Sequence, residues 1–127
     1  MNQRPLSITI ISWLFIAIGT LGVVYHASEF NLQHPFENEV LLACSVRLLA
    51  IIGGAFMLRG CNWARWLLAL WMAYHIGLSA LHSAAEVGMH LLLFGIIGYF
   101  LFRPQASAYF RREREARTTR EESTAAK

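Results

Sequence analysis

Four runs of apolar residues, each close to the length of a membrane-spanning helix, limit most strongly how this chain can fold. A hydrocarbon core of about 30 Å takes roughly 20 residues in helix, with ~17 to 25 tolerated. The runs cover residues 6–26, 39–58, 63–83 and 87–102, the last being the shortest. No proline separates the third from the fourth, so the break there must come from the polar, flexible cluster Ser83, Ala84, Ala85, Glu86 and Gly88. The fourth run could begin as early as Ala84 or Ala85. Charged residues are only 15% of the chain and hydrophobic ones 56%, which suits an outer surface facing lipid rather than water. At 127 residues the chain has room for one domain. The first run is longer than the apolar stretch of a signal peptide and is followed by no clean cleavage site, so it reads as a retained helix. The expected fold is all-α: four transmembrane helices in an up-down-up-down bundle over residues 1–102, followed by a basic tail over residues 103–127.

The loops set the expected orientation. Residues 27–38 carry Glu29 and Glu37 without a Lys or Arg, and the turn after the third run carries Glu86. Arg4, Arg59, Arg65 and Arg103 lie at the opposite ends of the same runs, and the tail adds Arg111, Arg112, Arg114, Arg117, Arg120 and Lys127. Basic residues stay on the cytoplasmic side, which predicts a multi-pass protein of a cell inner membrane with both termini cytoplasmic. In the hairpin between the second and third runs, Gly60 suits a left-handed helix end and Asn62 a helix cap. Trp63, Arg65 and Trp66 read as interfacial anchors, with indoles at headgroup depth.

This hairpin, Arg59-Gly60-Cys61-Asn62-Trp63-Ala64-Arg65-Trp66, and the opening Arg4-Pro5-Leu6-Ser7-Ile8-Thr9 together resemble an uncharacterised group of small bacterial four-helix membrane proteins. That group commonly shows an R-P-x-S-x-T-like start and a G-x-N-W-A-R-W-like turn. The resemblance covers roughly residues 4–104; it implies a bacterial inner membrane and supplies no activity. The small multidrug exporters are similar in size but rely on a glutamate in the first span, where residues 6–25 hold no acid. The quinone-reducing thiol oxidoreductases need paired cysteines. Here Cys44 and Cys61 form no C-x-x-C pair, and at ~1.5 Å per residue they lie about 25 Å apart along one helix.

Polar residues inside the runs are the candidates for function. Arg47 lies near mid-membrane, where a charge costs about 2.5–3.5 kcal/mol and normally faces a bundle interior or water. His75, Ser79, His82 and Glu86 recur at i, i+4, i+7 and i+11, one helical stripe at a depth that can meet Arg47. The expectation is a polar seam of Arg47, His75, Ser79, His82 and Glu86 between the second and third helices. The plainest alternative makes Arg47 interhelical glue, snorkelling outward to Glu86 or Glu29. Weaker alternatives are a metal site from His26, Glu29, His82, Glu86 and His90, a haem between two histidines such as His75 and His90, and a proton- or anion-responsive pathway. No cofactor is otherwise expected.

Gly19 and Gly22, Gly53 and Gly54, and Gly95 and Gly98 put small residues on the first, second and fourth helices, where they favour close helix packing or pairing of two protomers. The tail is expected to form a short amphipathic helix on anionic headgroups and to lose order from Thr118 onward. Its interleaved acids and bases argue against nucleic acid as a partner. No nucleophile, base and orienting group can be assembled, so an enzyme is not expected. The expected role is a structural or accessory membrane protein, as a homo-oligomer or a subunit of a larger complex; the other reading is a binding or transport module built on the seam.

Overall fold

The computed structural model describes residues 4–28 and 38–127, and these are helical almost throughout. The elements are α1 (Leu6–Ser28), α2 (Asn38–Leu58), α3 (Asn62–Ser79), α4 (Ala84–Phe102) and α5 (Pro104–Ala125). Three of them, α1, α2 and α4, are long and apolar enough to cross a membrane. The 18-residue α3 is not among them, because Asn62, Arg65 and His75 interrupt its apolar residues. The long apolar helices make this a membrane protein of all-α class.

Several boundaries differ from the sequence reading. α3 stops at Ser79 rather than reaching 83, and α4 starts at Ala84, the early limit of the range given above. The break is therefore residues 80–83. The cluster expected to make it, Ala84 to Gly88, is helical because Ser83 caps α4: its side chain accepts a hydrogen bond from the Glu86 backbone N–H at 3.2 Å. Asn62 does not cap α3; Cys61 occupies that position without a side-chain bond. Gly60 does adopt the left-handed conformation, with φ +72°.

The densest packing lies at one end of the molecule. Ile8 and Ile11 of α1, Met57 of α2, Ala64 and Leu68 of α3 and Leu101 of α4 are buried there. Pro104 cannot continue α4 and forces Arg103 into an extended conformation, which turns α5 across this end. α5 seals it with Ala106, Tyr109 and Phe110. Arg65 donates to Ser107 Oγ at 3.0 Å and lies over the rings of Phe102 and Phe110. Further along, Arg117 donates to the Arg59 carbonyl at 3.3 Å and to Cys61 Sγ at 3.4 Å. The bond to Cys61 is the main reason its guanidinium holds its protons above the usual arginine range.

The tail packs on the bundle, and the expected loss of order from Thr118 onward is corrected. Its only large apolar side chains, Tyr109 and Phe110, are buried against the bundle rather than offered to lipid. The helix also continues past Thr118 to Ala125, exposed along that stretch.

α1 and α2 form the closest pair. A Cβ at Gly54 would sit 2.7 Å from the Ser12 carbonyl oxygen, and one at Gly19 would sit 2.9 Å from that of Arg47. Gly53 is filled in the same way by Leu68 of α3. On the other side, Gly77 of α3 and Gly88, Gly95 and Gly98 of α4 have no described atom within 4 Å of such a Cβ. The packing role expected of Gly95 and Gly98 is therefore not met within one chain. Leu101 is the one residue of α4 buried among the described residues.

Candidate functional site

The site is built from Trp71 outward. Its indole N–H donates to the Val46 carbonyl oxygen at 2.7 Å, which fixes the ring across the α2–α3 seam. The edge of Phe15 meets it with centroids 5.5 Å apart. On its other side the His75 imidazole lies 3.9 Å away, centroid to centroid, tilted by 32°. With two neighbours and a hydrogen bond, Trp71 holds His75 in one orientation. His75 Nδ1 lies 3.0 Å from the Trp71 carbonyl oxygen. A carbonyl only accepts, so Nδ1 carries the proton and Nε2 presents its lone pair.

His90 reaches the same state from α4. Its Nδ1 lies 2.8 Å from the Glu86 carbonyl oxygen and 2.9 Å from Ser79 Oγ. Ser79, buried, donates its own hydroxyl proton to the His75 carbonyl at 2.9 Å. The consistent assignment has Ser79 accepting from His90 while donating to His75, leaving His90 Nε2 free as well. Ser79 thus ties α3 to α4 and orients the second imidazole.

Arg47 comes from α2. It lies nine residues after Asn38, about 13 Å at ~1.5 Å per residue, close to the middle of the helix. Its stem runs over Gly22 of α1, where an added Cβ would come within 2.7 Å of Cδ and 2.9 Å of Nε. Among the described residues no carboxylate is paired with its guanidinium.

Arg47, His75 and His90 line one cavity of about 310 Å³. The rest of its wall is Leu14, Phe15 and Ile18 of α1, Trp71 and Met72 of α3, and Leu93 and Ile97 of α4. Leu14, Ile18 and Leu93 are 44, 42 and 44% exposed, so the cavity opens sideways between α1 and α4. One fixed positive charge and two imidazole nitrogens with free lone pairs can hold an anion, take up protons with it, or coordinate.

The expected seam is therefore only partly assembled. Arg47 and His75 share the cavity, with Ser79 beside it. His82 and Glu86 do not: both are exposed, and His82 Nδ1 is bonded to the Leu78 carbonyl at 3.0 Å. They drop out because α3 ends at Ser79, so the helical stripe that placed them beside His75 is not continued. His90 takes their place. Among the described residues no group of three or more His, Cys, Asp and Glu side chains could hold a metal ion. Of the five residues considered for one, Glu29 lies outside the described residues, as does Glu37, and His26 sits edge-on to Tyr25. Trp63 and Trp66 are exposed at the end closed by α5, whereas Arg65 beside them is half-buried over aromatic rings.

Sequence reasoning missed Trp71 and the bed that Gly22 makes for Arg47. An indole mid-helix gives no hint of a partner on another helix, and a glycine does not say whose side chain crosses it. Compared with known protein families, with curated proteins and with solved structures, the chain matches none of them.

Proposed function

We propose that this is a four-span protein of a bacterial inner membrane, up-down-up-down with both termini cytoplasmic, whose interior cavity binds an anionic ligand. The positive-inside distribution of Arg4, Arg59, Arg65 and Arg103 supports the orientation. Their ends also meet: Pro5 lines a cleft with Pro104 and Tyr109, and Arg117 reaches the Arg59 carbonyl. α3 completes the count as a span of marginal hydropathy, tolerated because Arg65 lies at its end and His75 faces the cavity.

One observation carries the binding reading. Arg47 shares a mid-membrane cavity with His75 and His90, and no described carboxylate neutralises it. A charge at that depth is costly, and a bound anion would offset the cost. Anion binding should stabilise the folded protein in proportion to occupancy. The test is thermal unfolding in detergent against a panel of inorganic and organic anions. Concentration-dependent stabilisation that Arg47→Gln abolishes supports the reading. No response to any anion leaves a structural or accessory subunit, to be sought by co-purification.

A second reading rests on the histidine pair. Both Nδ1 atoms are bonded to backbone carbonyls, which leaves both Nε2 atoms available to a haem iron or metal ion, as in ligating histidines whose other nitrogen donates to a carbonyl. An absorption spectrum and metal analysis of gently purified protein decide it. A Soret band or stoichiometric metal lost on His75→Ala or His90→Ala favours the cofactor.

A further inference from the structure

We infer that the occupant of the Arg47–His75–His90 cavity is a single-chain amphiphile with a carboxylate head, a free fatty acid taken sideways from the bilayer; this rests on the anion-binding reading above.

The polar groups crowd one end of the cavity. His75 lies one turn from the end of α3 at Ser79, and His90 six residues into α4, so both sit toward the α3–α4 turn. The remainder of the wall runs deeper. Met72 precedes His75 by three residues, and Ile97 follows His90 by seven, about 10 Å at ~1.5 Å per residue. The site is therefore two-ended, with a cation and two imidazoles above and aliphatic and aromatic side chains below. A small hydrophilic anion would satisfy only the upper end. An alkyl chain fills the lower one and gains about 0.8 kcal/mol for each methylene it buries from water.

The way in is also apolar. The opening between α1 and α4 is edged by Leu14, Ile18 and Leu93, all partly exposed on the surface that lipid covers. A ligand arriving there is already dissolved in the membrane. The head must be anionic because Arg47 is cationic and no described carboxylate is paired with it; neutral acylglycerols or sterols would bring no counter-charge. The carboxylate is matched by the planar guanidinium fork, and a protonated His75 or His90 can donate Nε2–H to its second oxygen.

Trp71 provides the readout, since it lines the cavity and is fixed there by Val46. Trp13, Trp63 and Trp66 are exposed and can be replaced by Phe to leave Trp71 as sole indole. The full chain is reconstituted in phosphatidylcholine vesicles and titrated with dibromostearic acid, whose bromines quench indole on contact. The expected result is saturable quenching, reversed by oleic acid, with the dibrominated methyl ester at least about tenfold weaker, as loss of a charge-assisted bond implies. Arg47→Gln should raise the half-saturating concentration by a similar factor. His90→Gln, which touches no α1–α2 packing, should raise it severalfold even if Arg47→Gln does not fold. Equal quenching by acid and ester overturns the inference, because the carboxylate is then irrelevant. So does displacement of the acid by a short-chain quinone in preference to oleic acid. If acetate or phosphate stabilises the protein while dibromostearic acid fails to quench, the chain-bearing ligand is wrong and anion binding stands. Failure of both experiments removes the anion site altogether.

Discussion

The α1–α2 pair and the α3–α4 pair are written in similar letters and packed differently. Both contain spaced glycines among aliphatic residues. In the first pair, Gly19 and Gly54 are each closed by backbone atoms of the facing helix, and Gly22 carries the stem of Arg47. In the second, Gly77, Gly88, Gly95 and Gly98 face no described atom. What joins α3 to α4 near the site is polar: Ser79 bridging the two histidines. Without water to drive helices together, van der Waals contact and interhelical hydrogen bonds are the two means of association in lipid. Beside the cavity, α1 meets α2 through backbone contact and α3 meets α4 through hydrogen bonds. The looser side is where the cavity opens, and a site that must admit a ligand belongs where packing is incomplete.

Substitutions that distinguish the two sides test the comparison. The largest effect should come from Gly54→Ala. The added methyl meets the Ser12 backbone oxygen at 2.7 Å, and the backbone cannot move aside without parting α1 from α2. Unfolding in mixed micelles should show a loss of about 1–3 kcal/mol. Gly60→Ala comes next. It forces a Cβ into the left-handed region at φ +72°, against Glu113 and Tyr109 of α5, and should cost about 1–2 kcal/mol in the same assay. Trp71→Phe deletes the bond to Val46 and loosens the stack on His75; a loss of about 1 kcal/mol is expected, together with weaker anion stabilisation. Gly95→Ala should change stability least, from no effect to a gain of about 0.5 kcal/mol from reduced chain freedom. A loss there instead, accompanied by dissociation of a dimer on crosslinking, would mean a second copy covers α4 and the open side is open only in one chain.

The pH dependence follows from the groups facing the cavity: Arg47 from α2, His75 from α3 and His90 from α4, while the α1 wall of Leu14, Phe15 and Ile18 carries no titratable group. Each cavity imidazole that takes up a proton adds a second positive charge beside the Arg47 guanidinium. Anion binding should therefore tighten as pH falls and weaken as it rises, a trend that titration of Trp71 quenching reads directly.

α1, α2 and α4 were legible, because a run of apolar residues long enough to cross a bilayer has few other uses; α3 is less apolar and α5 is charged along most of its length. Gly60 was legible too, as a residue suited to positive φ beside a helix end. The α3–α4 boundary was not. Ser83 was read as part of a break that continued to Gly88, but its side-chain cap starts a helix one residue later. The site was half legible. Spacing put His75 and Ser79 on one helical face and extended the stripe to His82 and Glu86 as though the helix did not end. The pair His75 and His90 was named only as an example of a haem site, because how two helices meet across a four-residue turn is not encoded by periodicity within one helix. The tail shows the same limit: Tyr109 and Phe110 are buried beside Gly60 and Arg65 of the α2–α3 hairpin, a contact between distant segments that no local pattern encodes.

The most direct test of the cavity assignment is ¹⁵N NMR of histidine-labelled protein in bilayers, with His26, His34 and His82 replaced by Gln so that only His75 and His90 report. The account predicts that both neutral rings carry the proton on Nδ1, and that adding oleate converts at least one to imidazolium. Nε2-protonated rings, unchanged by oleate, would mean that the lone pairs do not face the cavity and that no anion is held there.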